Sequence, residues 1–202
     1  MFKSLATLQT ALDHREISSA SLLSFIKNRN EPFRWHPLGF IVCTLMVEGP
    51  WKARLHCWPS GEARPQGEAC LIHDHVFDFS SWVLNGEIEN VEYEVGPSGR
   101  TYAIYATEYM GELSILKKTA QTIQLAVRSS TIQLAGSKYE MQAGQLHESR
   151  RIGTAPAVTV LITHNLSMQA PTVVGPLDGA AKYEYVRSIL SDADVRRALT
   201  DI

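Results

Sequence analysis

The chain has few cysteines and no closely spaced cysteine pair. Cys43, Cys57 and Cys70 are an odd number of thiols without a CxxC motif. This pattern argues against a disulfide framework and against a structural zinc site. We therefore expect three reduced, buried cysteines and a cytoplasmic location.

Basic runs and long apolar segments are also missing. The formal net charge is −2, so nothing in the charge pattern favours binding to nucleic acid or to an anionic membrane. No apolar stretch approaches the roughly 18 residues that a membrane-spanning helix needs. The N-terminus is interrupted by charged residues from Asp13 to Glu16 and lacks the core of a signal peptide. We predict no nucleic-acid partner and no membrane partner.

What the chain does have is many short segments that are rich in β-branched and aromatic residues. Hydrophobic residues make up 45% of the sequence, which is enough to form a sizeable core. Roughly ten such segments occupy residues 38–168, and turns such as Asn85-Gly86, Gly96–Gly99 and Gly136-Ser137 separate many of them. Strands without intervening helices are typical of a β-sandwich or a β-barrel.

Helical spacing of apolar residues is confined to the two ends of the chain. It occurs within residues 1–35, with an interruption from Asp13 to Ser19, and within residues 180–202, where Tyr185 and Ile189 share one helical face. We therefore predict one all-β domain spanning residues 1–202, with short helices packed outside the barrel.

Two histidines with one residue between them are the first candidate metal ligands. In His73-Asp74-His75, side chains two positions apart on a strand point to the same face. Their ring nitrogens can then bind one ion at about 2.0–2.2 Å. The HxH pattern alone is weak evidence, but a third histidine, His147, follows three residues after Gly144 in a second glycine-containing stretch.

These stretches resemble the two motifs of the cupin superfamily. Residues 67–86, GEACLIHDHVFDFSSWVLNG, have the glycine and histidine spacing of G(x)5HxH(x)3-4E(x)6G. Residues 136–147, GSKYEMQAGQLH, have that of G(x)5PxG(x)2H(x)3N. The resemblance implies a double-stranded β-helix, or jelly-roll barrel, with a divalent metal ion bound to His73, His75 and His147.

The chain departs from the motifs at three positions. Phe79, Gln142 and Arg151 stand where the motifs have Glu, Pro and Asn. Without the Glu, three neutral imidazoles leave an ion its full positive charge and about three open positions, if it is octahedral. Imidazole ligands suit several metals, so the ligand type does not select one.

Cupins with three histidines and no Glu resemble the thiol dioxygenases, the cysteine dioxygenase family among them. That resemblance implies an iron(II)-dependent dioxygenase that uses O2 and acts on a small thiol, an amino acid or a related metabolite. Zinc, nickel or manganese are the alternative metals. A metal-dependent isomerase, lyase or hydrolase and a non-enzymatic ligand-binding cupin are the alternative functions. Cupins often dimerise, and the apolar residues 39–47 are a candidate contact for a homodimer.

Arg54 and His164 are candidate catalytic residues. Arg54 can hold a substrate carboxylate with two hydrogen bonds if its strand face is interior. His164 follows Val158, Val160 and Ile162 in alternation. We predict that His164 shares the interior face of the barrel with these three residues. There it would act as an acid, a base or an orienting group.

Overall fold

A computed structural model describes residues 2–27, 31–60, 70–165 and 170–198 of the chain. Gly67, the first glycine of the predicted metal-binding motif, lies outside these residues. Within the described ranges, no helix is both long enough and apolar enough to cross a membrane.

Antiparallel strands form two six-stranded sheets. The strands are β1 (Arg34–Trp35), β2 (Ile41–Glu48), β3 (Trp51–Trp58), β4 (Ile72–His73), β5 (Phe77–Asn85), β6 (Glu87–Met110), β7 (Leu113–Leu134), β8 (Lys138–Met141), β9 (His147–Arg151), β10 (Ala157–Asn165), β11 (Val173–Gly175) and β12 (Lys182–Val186). The first sheet has the order β1-β2-β3-β10-β5-β8 and the second has the order β11-β4-β9-β6-β7-β12. Together with the short helices near both ends, these two sheets confirm the predicted all-β fold with flanking helices.

The helices α1 (Leu5–Asp13) and α2 (Ser19–Lys27) lie in the N-terminal segment where the apolar spacing placed them. Helix α1 begins at a capping box, in which the Ser4 hydroxyl accepts a hydrogen bond from the Thr7 N–H. At its other end, the Trp82 indole N–H donates to the Asp13 carboxylate over 2.9 Å. This bond joins the helix to strand β5.

The first sheet is the middle layer of the molecule, because it buries side chains on both faces. One face packs against α1 and α2 in the largest hydrophobic core, which includes Leu8, Leu22, Ile26, Ile41, Cys43, Ala53, Leu55, Val158 and Val160. The other face lines an internal cavity, where Arg54, His56 and Leu161 come from neighbouring strands. This second face positions the candidate site.

The long hairpin of β6 and β7 differs from the predicted series of short strands. Gly96–Gly99 is a bulge within β6 rather than a turn between two strands, since Val95 and Arg100 both pair with Leu125. A Cβ atom at Gly99 would lie 2.3 Å from the Leu125 carbonyl carbon, so glycine is required where the two backbones meet.

The prediction of helix throughout residues 180–202 is wrong at its start. Lys182–Val186 is strand β12, which pairs with β7, and helix α3 covers only Asp192–Ala198. In the strand, Tyr185 is buried and its neighbours are more exposed, which is the alternation of an edge strand. The spacing of aromatic and β-branched residues in this segment fits a helix as well as a strand. Pairing with β7 makes it a strand.

Strand β2 contains most of the segment proposed as a dimer contact. It pairs with β1 on one side and β3 on the other. Ile41, Cys43 and Leu45 are buried in the helix-covered core, while Val42 and Thr44 line the cavity. Strand β1 pairs only with Ile41 and Val42, so the rest of that edge of β2 has no strand partner among the described residues. The homodimer stays a prediction.

Candidate metal centre

Three imidazoles converge at one end of the cavity. His73 ends the short strand β4, His75 follows that strand, and His147 begins β9. Strands β4 and β9 pair at a single register position, His73 opposite His147, which places these two rings 4.6 Å apart between centroids. One nitrogen from each of the three rings lies within 4.8 Å of the other two. The structure thus brings together all three predicted ligands.

Backbone carbonyls orient two of these rings. Nδ1 of His73 lies 2.9 Å from the carbonyl oxygen of Leu71, and Nδ1 of His147 lies 3.0 Å from that of Gln145. A carbonyl only accepts, so each Nδ1 carries the proton and donates it. The Nε2 lone pairs are then free, which is the tautomer that a metal-binding histidine needs. The donor set therefore fits a divalent ion.

Burial keeps the three imidazoles neutral. It lowers the pKa of His73, and it lowers the pKa of His147 to about 3, with repulsion from His73 as the second cause. The pKa of His75 lies well below its ordinary value, first through burial and then through repulsion from His73 and His147. Neutral imidazole is the form that binds a metal ion.

No carboxylate of the described residues joins the three histidines. Phe79 occupies the position of the missing Glu, and its ring centroid lies 5.4 Å from that of His75 and 6.3 Å from that of His147. The two nearby aspartates are engaged elsewhere: Asp74 accepts from the Thr172 N–H and Asp78 from the Ala143 N–H, each over 2.7 Å. The ligands that the described residues offer to an ion here are therefore all neutral.

The cavity in front of the histidines has a volume of about 560 Å³ and walls from both sheets. Four cationic side chains line it: Arg34, Lys52, Arg54 and Arg187. Asp74 is the one acidic residue among its described lining residues. Arg34 is neutralised by Glu112 at 2.7 Å. The remaining positive charges favour an anionic ligand.

Arg54 lines this cavity, which meets the condition for its predicted role, that its strand face is interior. Its guanidinium carbon is 5.6 Å from the centre of the Phe77 ring, and that ring stacks on His75 at 4.9 Å. No salt bridge to Arg54 exists within the described part of the chain. Burial and then repulsion from Arg187 lower its pKa, although the group stays charged at neutral pH.

The structure places His164 away from the other candidate residues. Its ring stacks on Trp51 at 4.3 Å, in a separate depression that also contains Asp78 and Arg128. Val160 and Ile162 share its parity, and both pack beneath the N-terminal helices. The predicted alternation along β10 is correct, but the predicted face is wrong. The face that lines the cavity carries Leu161, and His164 lies on the opposite face.

Two histidines that the metal motif does not contain also line the cavity. The rings of His36 and His56 flank Phe40, with centroid distances of 4.2 Å and 4.6 Å. Nδ1 of His36 accepts the Leu38 N–H over 3.3 Å, so a neutral His36 carries its proton on Nε2. The sequence could have indicated His56, because it shares the strand parity of Arg54. No sequence pattern indicated His36.

The buried His56 predicts a decrease in stability in acid. Burial, followed by repulsion from Arg54, lowers its pKa from 6.5 to about 3. Between those pH values the unfolded chain binds a proton that the folded protein excludes, so unfolding becomes more favourable as pH falls. We expect His56→Asn to reduce this pH dependence by at most ~1.4 kcal/mol per pH unit.

Urea unfolding of the metal-free protein at several pH values between about 6 and 4 measures this slope. His14→Asn is the matched control, since the His14 side chain is 65% exposed. Equal slopes for wild type and His56→Asn would contradict the prediction.

Comparison with known proteins adds no family assignment. No family model matches the chain, and no curated protein matches it either. Among solved structures, DMSP lyase DddQ from Ruegeria pomeroyi DSS-3 is 14% identical with a TM-score of 0.39, over 70% of this chain and 59% of that one. A chain from the crystal structures of the DMSP lyases RdDddP and RnDddQII is 11% identical with a TM-score of 0.36, over 65% and 51%. This chain thus spans between half and three fifths of those proteins.

Proposed function

We propose that this protein is an iron(II)-dependent oxygenase that acts on a small anionic metabolite such as a thiol-containing acid or an amino acid. The observation that supports this proposal is the convergence of three neutral imidazoles, which no carboxylate of the described residues joins. An ion bound by such a set keeps its full charge and has open positions for a substrate donor and for O2. Zinc, nickel and manganese are the alternative metals.

The residues of the chain have separate tasks in this proposal. His73, His75 and His147 would hold the ion through their free nitrogens. A bound iron(II) ion supplies Lewis acidity and the electrons for O2 activation. Arg54 would bind a carboxylate of the substrate with its guanidinium. Phe79 closes the site with an apolar ring and limits the access of water.

A Lewis-acid lyase or isomerase is the second candidate, and the neutral histidines of the cavity favour it. His56 is held unprotonated by burial and lies in the same cavity as the metal ligands. A neutral imidazole accepts a proton from a substrate, which is the step that elimination and isomerisation need. His36 lines the same cavity and, when neutral, carries its proton on Nε2, which is a hydrogen-bond donor.

Metal analysis and oxygen uptake separate these functions. Protein purified without oxygen should contain iron near one equivalent, and it should consume O2 with at least one member of a panel of small thiols and amino acids. Stoichiometric zinc, or turnover without O2 after replacement of iron by zinc or manganese, would identify the Lewis-acid enzyme instead. Ligand binding without any turnover would identify a non-enzymatic cupin.

A further inference from the structure

We propose that Arg54 and Arg187 form a second anion-binding subsite, so that the substrate is a dicarboxylate. One carboxylate would occupy this subsite while the other end of the molecule reaches the three histidines. This inference rests on the proposed function for the metal-bound end of the substrate and on the geometry of the two arginines for the other end.

Arg187 is fixed at the cavity wall by contacts around its backbone and its Nε atom. It follows strand β12, and its backbone N–H donates to the Glu112 carbonyl over 2.8 Å. Its Nε donates to the hydroxyl of the buried Ser114 over 2.7 Å. The guanidinium carbon lies 5.0 Å from the centre of the Tyr109 ring. These contacts hold the side chain in place, and within the described part of the chain no acceptor is bonded to the two terminal nitrogens of the guanidinium.

Arg54 and Arg187 bring two positive charges to the same cavity. Among the residues that the structure describes, neither guanidinium lies within salt-bridge distance of a carboxylate. The two groups also repel one another, and this repulsion contributes to the lowered pKa of Arg54. Two like charges that line one cavity are unfavourable unless an anion binds between them. Their planar forks match the oxygens of a carboxylate.

Phe77 contacts both the metal centre and the subsite. Its ring stacks on His75 at an interplanar angle of 15° and has the Arg54 guanidinium within 5.6 Å of its centre. A ligand that bridges the two sites therefore crosses an apolar surface, which suits a short aliphatic linker between two charged ends. Succinate has these features, and butyrate lacks the second charge.

Calorimetric titration of the zinc-loaded protein with succinate and with butyrate tests this inference. Zinc does not activate O2, so the result does not depend on whether the protein is an oxygenase. We expect succinate to bind at least ~tenfold more tightly than butyrate, because each end would make charge-assisted bonds. Arg187→Met should remove most of this preference, and Arg187→Lys should retain part of it. Arg54→Met provides a second test if Arg187→Met does not fold.

Arg128→Met is the matched control, since it removes the same charge from an exposed residue outside the cavity. It should leave the preference for succinate unchanged. A wild-type protein that binds both ligands equally, or a preference that survives both Arg187→Met and Arg54→Met, would overturn the inference. Failure to bind zinc would count against the proposed function. In that case the inference predicts that Arg187→Met still weakens the binding of succinate to the metal-free protein.

Discussion

Replacing His147 with alanine is expected to weaken the binding of a divalent metal ion by at least ~100-fold. Loss of a group that merely orients a metal ligand costs about 10- to 100-fold in affinity, so loss of one of three ligands should cost at least as much. His147 is only 2% exposed, and its proton is committed to the Gln145 carbonyl. No other described carboxylate, thiol or imidazole joins the ligand cluster to replace it.

Competition against a chromophoric chelator measures this loss, with zinc in air and iron(II) without oxygen. His164→Ala is the matched control, because it removes an imidazole that stacks on Trp51 in a different depression. Its metal affinity should equal that of the wild type. Circular dichroism establishes that both variants are folded. An unchanged affinity in His147→Ala, or an equal loss in His164→Ala, would exclude the proposed centre.

The three candidate metal ligands could be predicted from a local rule and a motif resemblance. Strand alternation grouped His73 with His75, and the resemblance to the second cupin motif added His147, which the pairing of β4 with β9 places opposite His73. His75 lies just beyond the end of β4 rather than within it. Its ring nevertheless lies 4.9 Å from the His73 ring and 5.0 Å from the His147 ring, measured between centroids.

The face of strand β10 could not be predicted from the same rule. Alternation divides a strand into two faces, but it does not say which one is interior when both are buried. Here α1 and α2 cover one face of the sheet, so the apolar series that ends at His164 packs under helices. The other face of β10 carries Thr163 as well as Leu161. In the sequence it is therefore the more polar of the two faces, so the apolar series is the natural prediction for the interior.

Arg187 could not be predicted because its place depends on long-range pairing. The residues before it fit a helix as well as a strand, and only the register of β12 with β7 places Arg187 beside Ser114. His36 depends in the same way on a loop that stacks it against Phe40. The spacing of residues in the sequence encodes local geometry, whereas such contacts between distant segments arise from tertiary packing.

The replacement of the expected Glu by Phe79 predicts how the site would respond if the carboxylate were restored. Phe79 is 6% exposed and packs with Met141 and Leu161, and its ring is near His75 and His147. In the metal-free protein, Phe79→Glu would place an unpaired carboxylate in an apolar cluster. We expect the free energy of unfolding to fall by about 3 kcal/mol or more.

A divalent ion should reverse much of this loss, because the new carboxylate would pair with it. Urea unfolding with and without zinc should therefore show a larger stabilisation by the metal in Phe79→Glu than in the wild type. Phe79→Gln is the matched control: it loses the same packing and introduces a polar group of similar size, but it has no charge. If both variants respond equally to zinc, residue 79 does not face the ion. If Phe79→Glu binds metal more tightly, it should lose activity, since the carboxylate occupies a position that substrate or O2 needs.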